Sequence, residues 1–106
     1  MKRYGTVIKL KPEKIIEYKK LHSEVWPEVL RIIKEANIIN YSIYYKDGYL
    51  FSYYEYLGID YAGDMKKMSD NKITLKWWKL TDPCQEPLDR SKGAWWADME
   101  EVFHLD

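Results

Sequence analysis

Asp47-Gly48 sits between two runs of alternating residues, and this arrangement constrains the fold more than any other stretch of the chain. Before it, Ile39, Tyr41, Ile43 and Tyr45 alternate with Asn40, Ser42 and Tyr44; after it, Tyr49 to Leu57 supplies a return strand. Asp-Gly accepts the positive backbone angles of a tight two-residue turn, so the two runs predict an antiparallel hairpin. Tyr4 to Leu10 alternates in the same way and reads as an earlier strand. Pro12 then stands where a first helical turn tolerates it, and Ile15, Tyr18, His22, Val25, Val29 and Ile32 follow at helical spacing, flanked by Trp26 and Ile33. Pro27 lacks an amide hydrogen and its ring clashes with the Ser23 carbonyl, which predicts a kink or break, with Ser23 available to cap a restarted segment. Beyond the hairpin, Asp60 caps a short helix over Tyr61 to Met68, and Asp70 caps another from about Asn71 to Leu80. Residues 81–99 form a long connection, and Glu101 to Leu105 reads as a last strand.

Strand, helix, strand, strand, helix, strand in 106 residues predicts a single α+β domain over residues 1–106. Its sheet is a ferredoxin-like βαββαβ antiparallel one with helices on one face. The opposite face also carries aromatics, and a second copy of the chain is the expected cover, giving a homodimer of the α/β-barrel type. Seventeen basic residues balance seventeen acidic ones, so no net field favours nucleic acid or an anionic membrane. No apolar run approaches the ~18 residues of a membrane span. The start of the chain has no signal-peptide core, and the single Cys84 suits a reducing, cytoplasmic compartment.

Ten Tyr and five Trp beside only two Phe is an unusual aromatic balance. Tyr and Trp carry polar handles that suit a subunit interface or a pocket for a polar ligand, and composition leaves both open. His22 shares a helix face with Tyr18, one turn away, and is either a satisfied core histidine or a proton-transfer group tuned near neutrality. If the odd-numbered residues of the second strand face the helices, Tyr41 points toward that pair; otherwise it is a core aromatic with its hydroxyl at an edge. Trp77 and Trp78 are neighbours on a helix and cannot share one face, so one packs centrally and the other lines an edge. Indole faces stack on the C–H surface of a sugar ring. Trp95-Trp96 is a second such pair in the long connection. There is no phosphate-binding glycine loop and no nucleophile elbow, and His22 and His104 have no metal-ligand spacing. Lys66-Lys67 and Arg90-Lys92 read as solvated basic clusters.

Tyr18 with His22, Trp26-Pro27-Glu28, Asn40 to Tyr44, Trp77-Trp78-Lys79 and Glu101 to Leu105 together resemble the L-rhamnose mutarotase family, from the first strand to the last residue. The resemblance implies a dimeric ferredoxin-like isomerase that interconverts the α and β anomers of a deoxy-sugar without cofactor or metal. It also implies that His22 is the proton donor and that Tyr18, Tyr41, Trp77 and Trp78 contact the monosaccharide. Leu88 to Trp96 departs from the Asn-Ser-Pro-like stretch of rhamnose-specific members, which keeps L-fucose or another sugar open beside L-rhamnose. Mutarotation needs one group to deprotonate the anomeric hydroxyl and another to protonate the ring oxygen. The partner of His22 is not named by the sequence: a tyrosine, a carboxylate or water would serve. The competing readings are a non-catalytic ligand-binding or RNA-recognition module of the same topology and a dimeric α/β-barrel oxygenase.

Overall fold

A computed structural model describes residues 1–89 and 93–106, and the Arg90-Lys92 cluster lies outside them. Its sheet is built on β1 (Lys2–Leu10), which pairs from Lys2 to Lys9 with β3 (Tyr49–Tyr56), and β3 pairs in turn with β2 (Ile38–Lys46). All pairings are antiparallel. The hairpin between β2 and β3 turns at Asp47 (φ 51°) and Gly48 (φ 85°), the double positive angle that the Asp-Gly pair predicted. The β1–β3 register sets Thr6 opposite Ser52 and Ile8 opposite Leu50, so the even-numbered residues of both strands share the face beneath the helices. Ile8, Leu10, Leu50, Tyr18 and Cys84 form the buried core there.

The break at Pro27 is present. After a 3-10 turn at Pro12–Lys14, α1 runs over Ile15–Ser23 and α2 over Pro27–Glu35. Ser23 does not cap α2: its hydroxyl donates to the Lys20 carbonyl (2.7 Å), and Trp26 holds the cap position without a side-chain bond. Asn37 (φ 65°) ends the turn out of α2 in the left-handed region, where asparagine is tolerated. α3 spans Tyr61–Asp70, with the Asp60 carboxylate accepting from the Gly63 amide (3.1 Å) as expected. α4 spans Lys72–Thr81, and its cap is Asn71 rather than Asp70: the Asn71 side chain accepts from the Ile73 amide (2.8 Å). Asp70 is instead the last residue of α3, ion-paired with Lys66 (3.0 Å).

The last strand differs from expectation. Glu101 to Leu105 form no strand; the free edge of β1 is taken by two short segments, β4 (Gln85–Glu86) and β5 (Ala97–Asp98). β4 pairs at Lys9 and Leu10, β5 at Thr6 and Val7, and the Met99 amide donates to the Gly5 carbonyl (2.8 Å). Little of β1 then remains to pair with a further strand. The tail is held by the Arg3–Glu101 ion pair (2.9 Å) and leaves Val102, Phe103 and Leu105 exposed. With β4 and β5 on one side of β1 and β3 then β2 on the other, the strand order is nonetheless the ferredoxin-like one.

Candidate active site

A cavity of about 730 Å³ lies between the helices and the inner face of the sheet, within the usual size range for small-molecule sites. All five residues singled out in the sequence line it: Tyr18, His22, Tyr41, Trp77 and Trp78. Each arrives for a local reason. Tyr18 and His22 are one turn apart on α1, their rings stacked at 4.1 Å. The Nδ1–H of His22 donates to the Tyr18 carbonyl (2.9 Å), which fixes the ring and leaves Nε2 as its other titrating atom. Burial lowers the His22 pKa below its ordinary value, and the carbonyl partly offsets this by favouring the cation.

Tyr41 reaches the cavity through a β-bulge. Ile39 pairs with Glu55 and Ser42 with Tyr53, so Asn40 and Tyr41 together oppose the single Tyr54. Asn40 adopts φ 51°, and its side-chain amide donates to Glu55 (2.7 Å). The extra residue changes the phase of the strand. Ile38, not Ile39, is buried before the bulge, while Tyr41 and Ile43 face inward after it. Strict alternation therefore names the wrong isoleucine and the right tyrosine. The Tyr41 residue is 42 % exposed, but desolvation of its hydroxyl pushes that group up to about 12. Its ring meets Tyr54 edge-on at 5.5 Å.

Trp77 is the central member of its pair, 6 % exposed, with its ring edge-on to both His22 (5.5 Å) and Trp26 (5.2 Å). Trp78 is less buried, yet it too borders the cavity. Trp95 and Trp96, carried in beside β5, contribute two more indoles to the same wall.

Two polar residues of the site went unread in the sequence. Asp82, first residue of a 3-10 turn (Asp82–Cys84) that follows α4, is the one carboxylate among the described lining residues, and desolvation raises its pKa above the ordinary value. Gln85, on β4, is buried and joins Tyr18 to Trp95 by hydrogen bonds. Both lie in what the sequence presents as a connection, without periodicity to say which way a side chain turns. The hydroxyls of Thr6, Ser52, Thr74 and Thr81 also line the cavity, and Val25, Val29, Ile33, Met65 and Met68 give it apolar surface. His104 is remote from His22 in the chain and hydrogen-bonds Asp106 (2.6 Å). Among the described residues no cluster of three or more His, Cys, Asp or Glu is placed to hold a metal ion.

Comparison with known proteins gives this geometry a context. The family model described as L-rhamnose mutarotase matches residues 3–105. The L-rhamnose mutarotase of Oceanobacillus iheyensis is 37 % identical and that of Bacillus subtilis 34 %, each over the full length of both chains. Among solved structures, an L-rhamnose mutarotase of Formosa agariphila superposes with a TM-score of 0.79 at 23 % identity, covering all of both chains. The tetracenomycin F2 cyclase of Streptomyces glaucescens, a type II polyketide cyclase, shares the fold with a TM-score of 0.73 at 9 % identity, over 100 % of this chain and 98 % of its own.

Proposed function

The chain belongs to the L-rhamnose mutarotase family, and from that premise we propose that it is an isomerase interconverting the α and β anomers of L-rhamnose by acid/base ring opening. The observation that carries the reading is a cavity lined by both the His22 imidazole and the Asp82 carboxylate together with an aromatic wall. The pKa shifts run in the useful direction. A histidine with a lowered pKa gives up its proton more readily, and an aspartate with a raised pKa takes one more readily.

In this mechanism the pair holds one proton. His22, as the imidazolium, donates from Nε2 to the ring oxygen while Asp82 accepts the anomeric hydroxyl proton, and the bond between C1 and the ring oxygen breaks. The aldehyde turns about its C1–C2 bond, and closure from the other face returns both protons. Tyr18 and Tyr41 hold sugar hydroxyls, Trp78 stacks on the C–H face of the ring while Trp77 bounds the site beside His22, and the valine, isoleucine and methionine side chains receive the C6 methyl of a deoxy-sugar. Opening and closure each take only two proton transfers, so no cofactor enters the scheme. An acid/base pair worth roughly 10²–10⁴-fold suffices, because the sugar already opens slowly in water.

The enzyme works as a homodimer in the cytoplasm. The dimer covers the outer sheet face, and the compartment suits the one cysteine, Cys84, buried and free. No described helix is long and apolar enough to cross a membrane. Saturation-transfer NMR across a panel of L- and D-sugars tests the activity. Exchange between the anomers of L-rhamnose faster than buffer is expected. Acceleration confined to L-fucose would mean that Trp95 and Trp96, where the sequence departs from rhamnose-specific members, reset the sugar. No acceleration of any sugar overturns the reading.

A further inference from the structure

The hydroxyl of Tyr18 has its polarity set by two residues behind it. Trp95 Nε1 lies 2.7 Å from Gln85 Oε1, and an indole nitrogen can only donate. The Gln85 carbonyl oxygen must therefore face Trp95, which turns its NH2 group toward Tyr18 Oη, 3.1 Å away. That group can only donate, so the Tyr18 oxygen accepts there and its own proton has to point elsewhere. Gln85 is 4 % exposed, and its backbone is pinned by pairing with Leu10, so it has little freedom to turn and reverse the order. The free direction for the Tyr18 proton is the cavity that its side chain lines.

We propose that Gln85 is a positioning residue and that the Trp95–Gln85–Tyr18 relay makes Tyr18 an obligate hydrogen-bond donor to the bound ligand. The ligand atom it meets is an acceptor, a sugar hydroxyl oxygen whose own proton is directed to another group. This rests on the reading of the cavity as a sugar site. Trp95 is then more than wall: by fixing the amide it sets the direction of a proton on the far side of Gln85.

The experiment places Gln85→Leu and Gln85→Glu in the wild-type and Tyr18→Phe backgrounds and measures KM and kcat for L-rhamnose exchange. Gln85→Leu removes the relay and is expected to raise KM about three- to tenfold, the worth of one hydrogen bond, with little change in kcat. In the Tyr18→Phe background the same change is expected to leave KM where it is. Gln85→Glu preserves shape: protonated, its carboxyl group still donates to Tyr18, and ionised, it draws the Tyr18 proton away from the cavity. Its KM is expected to rise with pH in a way the wild type's does not. An unchanged KM in Gln85→Leu, an equal loss in the Tyr18→Phe background, or a pH-independent Gln85→Glu overturns the proposal. If the wild type accelerates no sugar, the functional reading fails separately. The relay is then judged by the Trp95 indole proton in NMR, which Gln85→Leu must shift and expose to exchange if the relay exists and leave unmoved if it does not.

Discussion

In the proposed mechanism His22 and Asp82 bear on catalysis and on stability in different ways, which titration separates. The productive pair holds one proton, so kcat/KM falls at high pH as His22 loses it, with a midpoint below the ordinary 6.5 because burial lowers that pKa. It falls again at low pH as Asp82 gains a proton, with a midpoint above the ordinary 3.8. A bell displaced to the acid side of neutrality is therefore expected, and a rate independent of pH between 4 and 8 would contradict the pairing. His22→Asn is expected to lower exchange by about 10²–10⁴-fold, toward the buffer rate, with the fold intact by circular dichroism. Asp82→Asn distinguishes catalysis from structure more sharply. A pKa raised on folding gives stability that is complete below the unfolded value and lost as pH rises through the folded one, so at neutral pH the Asp82 carboxylate opposes folding. Asp82→Asn should melt at or above the wild-type temperature at pH 7 while losing about 10²-fold in rate. A variant both less stable and fully active would show that Asp82 is structural.

At the scale of elements, the bulge in β2 and the tryptophans of α4 decide what reaches the site. Asn40 holds a left-handed backbone at φ 51°, which costs other residues with a Cβ about 1–2 kcal/mol. Asn40→Gly should keep activity within severalfold, whereas Asn40→Val should destabilise by about that amount and raise KM by turning Tyr41 out of the cavity. Equal behaviour of the two would remove the bulge from the account. Trp77 and Trp78 should also part company. Trp77→Ala, emptying a buried ring site against His22 and Trp26, should cost about 3–5 kcal/mol in denaturant unfolding. Trp78→Ala should mainly raise KM, about three- to tenfold for a lost stacking face. The helical stripe through Tyr18 and His22, the Asp47-Gly48 hairpin and the break at Pro27 were legible because periodicity and turn chemistry are local. The bulge, the Gln85 relay and Asp82 were not. Asn40 looks like any polar strand residue until pairing shows two residues opposite one, and residues 81–99 carry no period from which to assign a face. The last strand was misplaced for a related reason: Glu101 to Leu105 has strand character, but which segment takes the edge of β1 is settled by tertiary pairing rather than by local preference.

For the whole molecule, the question is what covers the outer face of the sheet. Register places Val7, Phe51 and Tyr53 there, and Tyr44 opposite Phe51 on the neighbouring strand. Tyr44 is 66 % exposed, and the C-terminal tail presents Val102, Leu105 and a Phe103 that is 79 % exposed. In the proposed dimer, a two-fold pairing would bury the apolar face and the apolar tail with the same residues on each copy. Folding and association would then be linked, since a chain that buries this face only as a dimer gains stability with concentration. Sedimentation equilibrium at micromolar concentration should give twice the chain mass, 12.8 kDa, and the melting temperature should rise as the protein is concentrated. Tyr44→Glu puts a charge on the covered face, on its edge strand β2, and should weaken association by about thirtyfold or more, roughly 2 kcal/mol. Tyr44 does not line the cavity, so any loss of exchange in Tyr44→Glu would arise through the dimer and should be recovered at concentrations that restore it. A wild type that sediments as a single chain, with a melting temperature indifferent to concentration, would leave the exposed face and tail without their proposed cover.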